Sequence, residues 1–399
     1  MKMTGLTAYD ETILPPGIRS RFLDNNDLTM HVLEAGFESE GRPCVLLLHG
    51  FPELAYSWRK VMLPLAAEGF HVVAPDQRGY GRTTGWDGDY DGDLSSFRFL
   101  NLVRDALGLV SVLGYRTVAA VVGHDFGSPV AAYCSLIRPD VFRSVVLMSA
   151  PFAGPPSLPF NTAPTNAADK PSQKRNPLRP LNANIHEDLA ALDPPRRHYQ
   201  WYYSTREAND NMLNCPQGVH NFLRAYYHYK SADWKQNKPF PLKSWSAAEL
   251  SKLPTYYVME LDKGMAETVA PHMPPSIEIA SCKWLSDDEL SVYSSEFTRT
   301  GFQGGLQWYR CATSDKYTAE LQIFSGLTID VPSCFISGKS DWGIYQKPGA
   351  IERMQNGICT KMLGCHLVDE AGHWVQQEQP EEVTKLLIQF LQQHVQTDD

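Results

Sequence analysis

VAAVVGHDFG, residues Val118 to Gly127, passes from six apolar or small residues into a polar pair held between glycines. Ser128 to Arg138 then spaces its apolar residues as a helix does, so the whole reads as buried strand, sharp turn, helix. Glycines at 123 and 127 permit a strained turn and close packing of strand against helix. A turn of the form small-x-nucleophile-x-small is the device by which a strand presents a nucleophile at the edge of a sheet, and Asp125 holds that position. An ordinary strand-to-helix turn whose aspartate caps the helix has the same local pattern. The rest of the chain has to separate the two.

Upstream, candidate strands at Arg21–Leu23, Thr29–Glu34, Cys44–Leu48 and His71–Pro75 are interleaved with helical patterns at Trp58–Leu65 and Phe99–Leu113. Downstream, 144–149 reads as another buried strand. Strict alternation of this kind predicts an α/β fold, a mostly parallel sheet flanked by helices on both faces. At Pro151 the composition changes. The thirty residues 151–180 hold eight prolines and almost no apolar periodicity, which predicts a connector that gates entry and supplies no chemistry. From about 185 to 310 the patterns are helical and rich in aromatics, and the α/β pattern returns with strands Ile329–Ser337 and Gly364–Asp369 and a closing helix Glu381–His394. The expected organisation is a core in two parts, 1–152 and 315–399, with a mainly helical cap inserted as 153–314.

Composition excludes several classes. Hydrophobic residues at 43% and charged residues at 20% describe an ordinary globular chain, and a net charge of −9 gives no field to draw it to nucleic acid. The basic stretch Lys170–Arg179 lies among prolines and reads as a solvated loop. No apolar run is long enough to span a bilayer, and the N-terminal residues show no signal peptide, so a cytoplasmic protein is expected. The eight cysteines form no CxxC pair, and those inside apolar segments read as buried reduced thiols. Asp87, Asp89, Asp91 and Asp93 alternate like the start of a calcium loop, but the position that needs a bidentate glutamate holds Arg98.

Three further positions give the turn its meaning. After strand Cys44–Leu48 comes His49-Gly50-Phe51-Pro52-Glu53, where Gly50 lets the backbone bend and leaves the Phe51 amide at the carboxyl end of a strand, placed as an oxyanion-hole donor. Strand 329–337 ends in Gly338-Lys339-Ser340-Asp341-Trp342, and strand 364–369 runs into Glu370-Ala371-Gly372-His373-Trp374. Asp125, Asp341 and His373 therefore follow one another as nucleophile, acid and histidine, each just past a strand. The aspartate narrows the chemistry. A serine attacking an sp³ carbon leaves an ether that water does not cleave, whereas a carboxylate leaves an ester that hydrolyses in a second step. Epoxides and alkyl halides are the electrophiles that fit.

HGFPE with Ser57-Trp58-Arg59, RGYG at 78–81, GHDFG at 123–127, GKSDW at 338–342 and AGHW at 371–374 resemble the α/β-hydrolase-fold epoxide hydrolases, the soluble kind in particular. The likeness covers roughly 18–152 and 284–395 and includes GFQGGLQWYR at 301–310, similar to the family segment that carries one ring-opening tyrosine, here Tyr309. The second family tyrosine best matches Tyr202, with Tyr203 and Tyr199 as its neighbours on the same helix. The resemblance implies that Tyr309 and Tyr202 hold the epoxide oxygen and protonate it, that Asp125 attacks, and that His373, oriented by Asp341, activates water against the ester. The amides of Phe51 and Phe126 would form the oxyanion hole, and Trp342 and Trp374 would line the substrate. Phe126 stands where many relatives have tryptophan. The implied partners are an epoxide and water, with no metal or organic cofactor; the epoxide's identity, a detoxifying or biosynthetic role and the oligomeric state stay open. Two other functions share parts of the pattern. A haloalkane or haloacetate dehalogenase uses the same nucleophile but needs N–H donors for a departing halide, and Phe126 lacks an indole. A non-catalytic small-molecule receptor on the same fold has no need of the complete triad.

Overall fold

The computed structural model describes residues 6–10, 12–158 and 185–395. Most of the proline-rich connector, including Lys170–Arg179, lies outside the described residues. Eight strands form the main sheet: β1 (Ile18–Asn25), β2 (Leu28–Ala35), β3 (Cys44–Leu48), β4 (His71–Pro75), β5 (Ala120–His124), β6 (Val145–Met148) and, after the inserted segment, two more at Ile329–Gly338 and Cys359–Val368. Between them a short antiparallel pair, β7 (Arg196–His198) and β8 (Val258–Glu260), belongs to the insertion, so the last two sheet strands are β9 and β10. Their spatial order is β1-β2-β4-β3-β5-β6-β9-β10. β1 and β2 are antiparallel to each other, β2 is antiparallel to β4, and every pairing from β4 to β10 is parallel.

The central strands are continuous apolar runs because helices cover both faces: every residue of β3, β4, β5 and β6 is buried. Helices Arg59–Ala67, Phe99–Val112, Gly127–Ile137 and Pro380–Val395 fall within two residues of the spans read from apolar spacing. β10 begins five residues before its predicted start at Gly364. Its pattern is mostly half-exposed, as befits an edge strand, so no buried run marks its beginning.

The strands on either side of residues 149–328 lie side by side, β6 against β9. The intervening helices, among them Gly218–Lys230, Asp287–Thr300 and Gln303–Ala312, pack over the loops at the carboxyl ends of the parallel strands. Trp308 Nε1 donates to the Arg78 carbonyl (2.9 Å), Tyr227 Oη to the Pro52 carbonyl (2.9 Å), and the His373 N–H to the Lys230 carbonyl (2.9 Å). Buried Arg59 crosses the same seam, its Nε donating to Glu289 Oε1 at 3.0 Å and its Nη1 to Gln377 Oε1 at 3.0 Å.

Candidate active site

The turn after β5 places Asp125 at φ +51°, a left-handed conformation that a side chain adopts only under strain. It is held there by the Asp125 N–H on the Met148 carbonyl (3.1 Å) and the Ser128 N–H on the Asp125 carbonyl (3.1 Å). A Cβ at Gly123 would run into the Gly127 carbonyl, and one at Gly50 would run into the Asp125 side chain, so both glycines are there for close approach.

Asp125 Oδ1 accepts the Phe51 N–H at 3.0 Å. The Phe126 amide, also beside Gly50, makes no hydrogen bond among the described residues and is free to donate. His373 Nε2 lies 3.2 Å from Asp125 Oδ2, off the line of a hydrogen bond, and has no hydrogen-bond partner among the described residues. His373 Nδ1 faces both Asp341 oxygens at 3.2 Å, and Asp341 is itself fixed by the Gly343 N–H (2.7 Å) and Ser337 Oγ (3.1 Å). Burial pushes the Asp125 carboxyl up, but His373, Lys230 and His124 outweigh it and hold the group well below the ordinary carboxylate range. Asp341 is lowered in the same way, burial being overcome by His373, the Gly343 amide and Lys230. Asp125, Asp341 and His373 thus stand in one chain of contacts, as their order in the sequence implies.

Behind the histidine lies a buried ion pair. His124 Nδ1 meets Glu53 Oε2 at 2.6 Å and its Nε2 meets the His373 carbonyl at 2.7 Å, so both ring nitrogens face acceptors and the ring is an imidazolium. Burial opposes that charge; the Glu53 carboxylate overcomes it and raises His124. Glu53 also accepts from the Gly50 N–H (3.2 Å) and Gln376 Nε2 (3.0 Å). Ser149 Oγ gives the His373 carbonyl a second donor at 3.1 Å. On the other side, Glu378 accepts the N–H groups of Gly372 (2.9 Å), Trp374 (3.0 Å) and Ala232 (2.8 Å), tying the histidine loop to the end of the helix Gly218–Lys230. A surface cleft of about 950 Å³ bounded by Arg224, Asp233, Lys283 and Glu378 contains none of the triad.

The tyrosines sort themselves by what they touch. Tyr309 is buried, with its ring edge-on to Phe51 (5.5 Å) and Phe126 (5.0 Å). Its hydroxyl has no hydrogen-bond partner among the described residues. Burial and the Asp125 charge push it well above 10. On the turn Tyr199–Tyr203, residues 199 and 203 share a face one helical turn apart, and both rings reach Tyr309, at 6.0 and 4.9 Å. Tyr199 is raised by burial and then by Asp125, and its hydroxyl donates to Gln346 Oε1 at 3.2 Å. Tyr203 donates to Tyr226 Oη at 3.3 Å. Tyr202 is turned elsewhere: its hydroxyl donates to Asn211 Oδ1 (3.2 Å) and Arg197 lies over its ring at 4.6 Å. The expectation for Tyr202 is therefore corrected. The tertiary cue is the pairing of β7 with β8, which ends at His198 and hands the chain into the turn with Tyr199 N–H on the Tyr257 carbonyl (2.9 Å), a contact between residues far apart in sequence.

Trp374 is corrected too. It is fully buried, stacked on Tyr227 at 4.2 Å with its indole N–H on the Tyr227 carbonyl (2.9 Å), and edge-on to His373 at 4.7 Å, a support for the histidine and not a lining. Trp342 packs against Phe240 (4.9 Å), with its buried Nε1 unpartnered among the described residues. Sequence reasoning passed over Glu53, His124, Lys230 and Glu378. The first two lie inside motifs already singled out, and Glu378 follows the histidine by five residues.

An aspartate in the elbow, its oxygen on a backbone amide and its imidazole backed by a second aspartate, agrees with what the chain resembles. A family model described as the alpha/beta hydrolase fold matches residues 43–380. Epoxide hydrolase B of Mycobacterium tuberculosis is 30% identical over 376 residues, covering 93% of this chain and 97% of the relative. Epoxide hydrolase A of the same species is 32% identical, covering 93% and 96%. The chain belongs to the α/β-hydrolase-fold epoxide hydrolases. Among solved structures of the family, an epoxide hydrolase from an endophytic Streptomyces aligns at a TM-score of 0.73 with 29% identity, over 95% of this chain and 96% of that one. A mutant of potato epoxide hydrolase aligns at 0.69 with 28% identity, over 94% and 99%. Likeness to epoxide hydrolases thus extends through the inserted helices that the sequence motifs left largely unmatched. No helix of the described residues is long and apolar enough to cross a membrane.

Proposed function

We propose that this protein hydrolyses an epoxide to a vicinal diol through an ester on Asp125. The observation that carries the reading is the carboxylate itself: Oδ1 rests on the Phe51 amide while Oδ2 faces His373 Nε2 in a buried site. Tyr309 and Tyr199 hold the epoxide oxygen, and one of them gives its proton as the C–O bond breaks and Asp125 Oδ2 forms the new bond to carbon. His373 then takes a proton from water, whose oxygen attacks the ester carbonyl. The oxyanion develops on Oδ1, already on the Phe51 amide and within reach of Phe126, and each such donor is typically worth about 2.7–4 kcal/mol. On collapse the departing diol oxygen takes the proton from His373, and the proton remaining on the new Asp125 oxygen returns to the tyrosine, which restores the carboxylate. Residues 185–312 serve as the cap that brings the tyrosines over Asp125. Eight unpaired cysteines support a reducing compartment, and we place the protein in the cytoplasm.

Dehalogenation is the less favoured chemistry. Phe126 offers no indole, and the Trp308 indole beside it is already bonded to Arg78. The test is isotopic. A single turnover in oxygen-18 water should place the label in Asp125, since the diol takes its new oxygen from the original carboxylate, and His373→Gln should accumulate one substrate mass on the Asp125 peptide. Label in the diol with none in Asp125 would mean that water opens the ring directly.

A further inference from the structure

A second concave surface lies at the edge of the sheet opposite Asp125. Pro43, His71, Ala119 and Ser144, at the amino ends of β3, β4, β5 and β6, line a cleft of about 860 Å³. That is the size of a small-molecule site. Arg19, Arg21, Arg42, Arg143 and Lys361 also line it, and among the described residues Glu40 is the only acid that does. In a chain of net charge −9 this is a local reversal of sign. The larger cleft beside Glu378 shows no such excess, its five lysines and arginines being matched by five acids.

Three of the arginines are held from behind. Glu34, its side chain fully buried, takes Arg19 Nε (2.8 Å) and Arg21 Nη2 (2.8 Å), while the two arginine side chains stay 39% and 37% exposed. Burial pushes the Glu34 carboxyl up, but His71, Arg21 and Arg19 outweigh it and hold the group well below the ordinary carboxylate range, so one negative charge anchors two positive ones. Arg19 also lies on the Phe37 ring at 3.9 Å. Arg42 gives Nη1 to the Ala66 carbonyl (2.9 Å), a neutral acceptor. Its own carbonyl accepts from Tyr115 Oη (3.1 Å), which lies 2.8 Å from His71 Nδ1 and so fixes the loop between β2 and β3. Both Nη atoms of Arg19, Nη1 of Arg21, and Nε and Nη2 of Arg42 make no hydrogen bond to the described residues. The cleft thus has fixed guanidinium groups with donors to spare.

We propose that this cleft binds a soluble small molecule bearing two or more phosphoryl groups, at a site separate from the reacting centre. A guanidinium fork matches the paired oxygens of a phosphoryl group, and one already anchored loses little rotamer freedom when it binds. The five cations come from β1, the loop between β2 and β3, the residue pair before β6, and β10, so they surround the concavity and suit more than one anionic group. The sheet stands between the cleft and Asp125, which makes the ligand an effector or an anchor and not a substrate. The inference does not depend on the epoxide chemistry.

The test is isothermal titration calorimetry of the full chain with inorganic tripolyphosphate, orthophosphate and citrate, in about 0.15 M salt so that exposed charges are screened. Tripolyphosphate should bind one to one with a Kd of about 1–100 μM, and orthophosphate and citrate should bind at least about tenfold more weakly. Arg42→Gln and Lys361→Gln should each weaken tripolyphosphate by about tenfold, the worth of one charged hydrogen bond. Arg42→Lys keeps the charge without the fork and should still lose severalfold. Lys361 is exposed, so its variant tests the site even if a change at Arg42 disturbs the fold. Tripolyphosphate binding no tighter than about millimolar, citrate binding as well as tripolyphosphate, or affinity unchanged in the Arg42→Gln/Lys361→Gln double variant would each overturn the inference. Sedimentation with vesicles of phosphatidylcholine carrying a bisphosphorylated inositol lipid, by protein that ignores soluble tripolyphosphate, would move the phosphates to a membrane surface and overturn the soluble ligand.

Discussion

Burial works against the charge of Asp125 and in favour of the proton on Tyr309, and only the first is overruled. Asp125 is held below the ordinary carboxylate range despite its burial, while Tyr309 and Tyr199 are pushed above the ordinary phenol value by burial and by Asp125. A nucleophile must be deprotonated and an acid protonated, so the two shifts widen the pH window from both ends. With ordinary values of about 3.9 for aspartate and about 10 for tyrosine, single-turnover ester formation should be flat from about pH 5 to about pH 10. A limb with its midpoint near neutrality in that step would contradict the assignment. The same reasoning separates the tyrosines. Replacing Tyr309 or Tyr199 by Phe should slow ester formation by about 10²–10⁴, the usual range for a positioned acid, with the lower end expected while the other tyrosine remains. Tyr202→Phe loses contacts to Asn211 and the Met265 backbone and should stay within about threefold of wild type, since it touches nothing that reacts. Rapid-quench measurement of the ester in the three variants decides between Tyr199 and Tyr202.

The histidine loop is a short element held by its backbone. The His373 carbonyl accepts from His124 and Ser149, its N–H donates to the Lys230 carbonyl, and Glu378 accepts three amides around it. Burial pushes the Glu378 carboxyl up to about 8 although all three amides pull it down. A folded value above the unfolded one of about 4.5 gives stability that is complete below the unfolded value and is lost as pH rises to about 8. Glu378→Gln removes that titration and sets an amide NH₂ against a backbone N–H, a loss of about 1–3 kcal/mol. Thermal unfolding should therefore show the variant less stable in mild acid, with the gap to wild type narrowing towards alkaline pH. A constant gap would mean that Glu378 does not titrate in the folded state.

Elements of this kind also mark how far the sequence could be read. Strands β3 to β6 announced themselves as apolar runs, and Asp125, Asp341 and His373 lie in the turns that follow β5, β9 and β10, where topology brings them together. Tyr199, Lys230 and Glu378 owe their positions to contacts between distant segments, β7 with β8 and the helix end with the histidine loop. Periodicity carries no record of these. Three tyrosines within one turn are equivalent by spacing and distinguishable only by what faces them.

Across the whole molecule, the inserted helices and the sheet are joined by buried polar contacts as well as by aromatic packing. Arg59 is the hub, reaching Glu289 in the insertion and Gln377 beyond the histidine. Arg59→Ala takes a buried donor from both acceptors, leaving Gln377 with Tyr293 Oη and Glu289 with Lys60, and should cost about 3 kcal/mol, the low end for a broken buried pair because Glu289 is part-exposed. Chemical denaturation should show the loss in the midpoint. If Lys60, which also meets Glu289 at 3.5 Å, compensates fully, Lys60→Ala and Arg59→Ala will be strongly non-additive.

The pairing of β6 with β9 joins strands separated by the whole insertion, and this has a meaning for synthesis on the ribosome. While residues 149–328 emerge, β6, with its wholly apolar sequence Val145–Met148, is an uncovered edge of a half-built sheet. Neither Asp341 nor His373 yet exists to complete the contacts of the Asp125 side chain. The nascent half-domain is thus at its stickiest for nearly half of the time the chain takes to be made, and a chain stopped before Ile329 should accumulate with holding chaperones or in aggregates, whereas one extended through β10 should not.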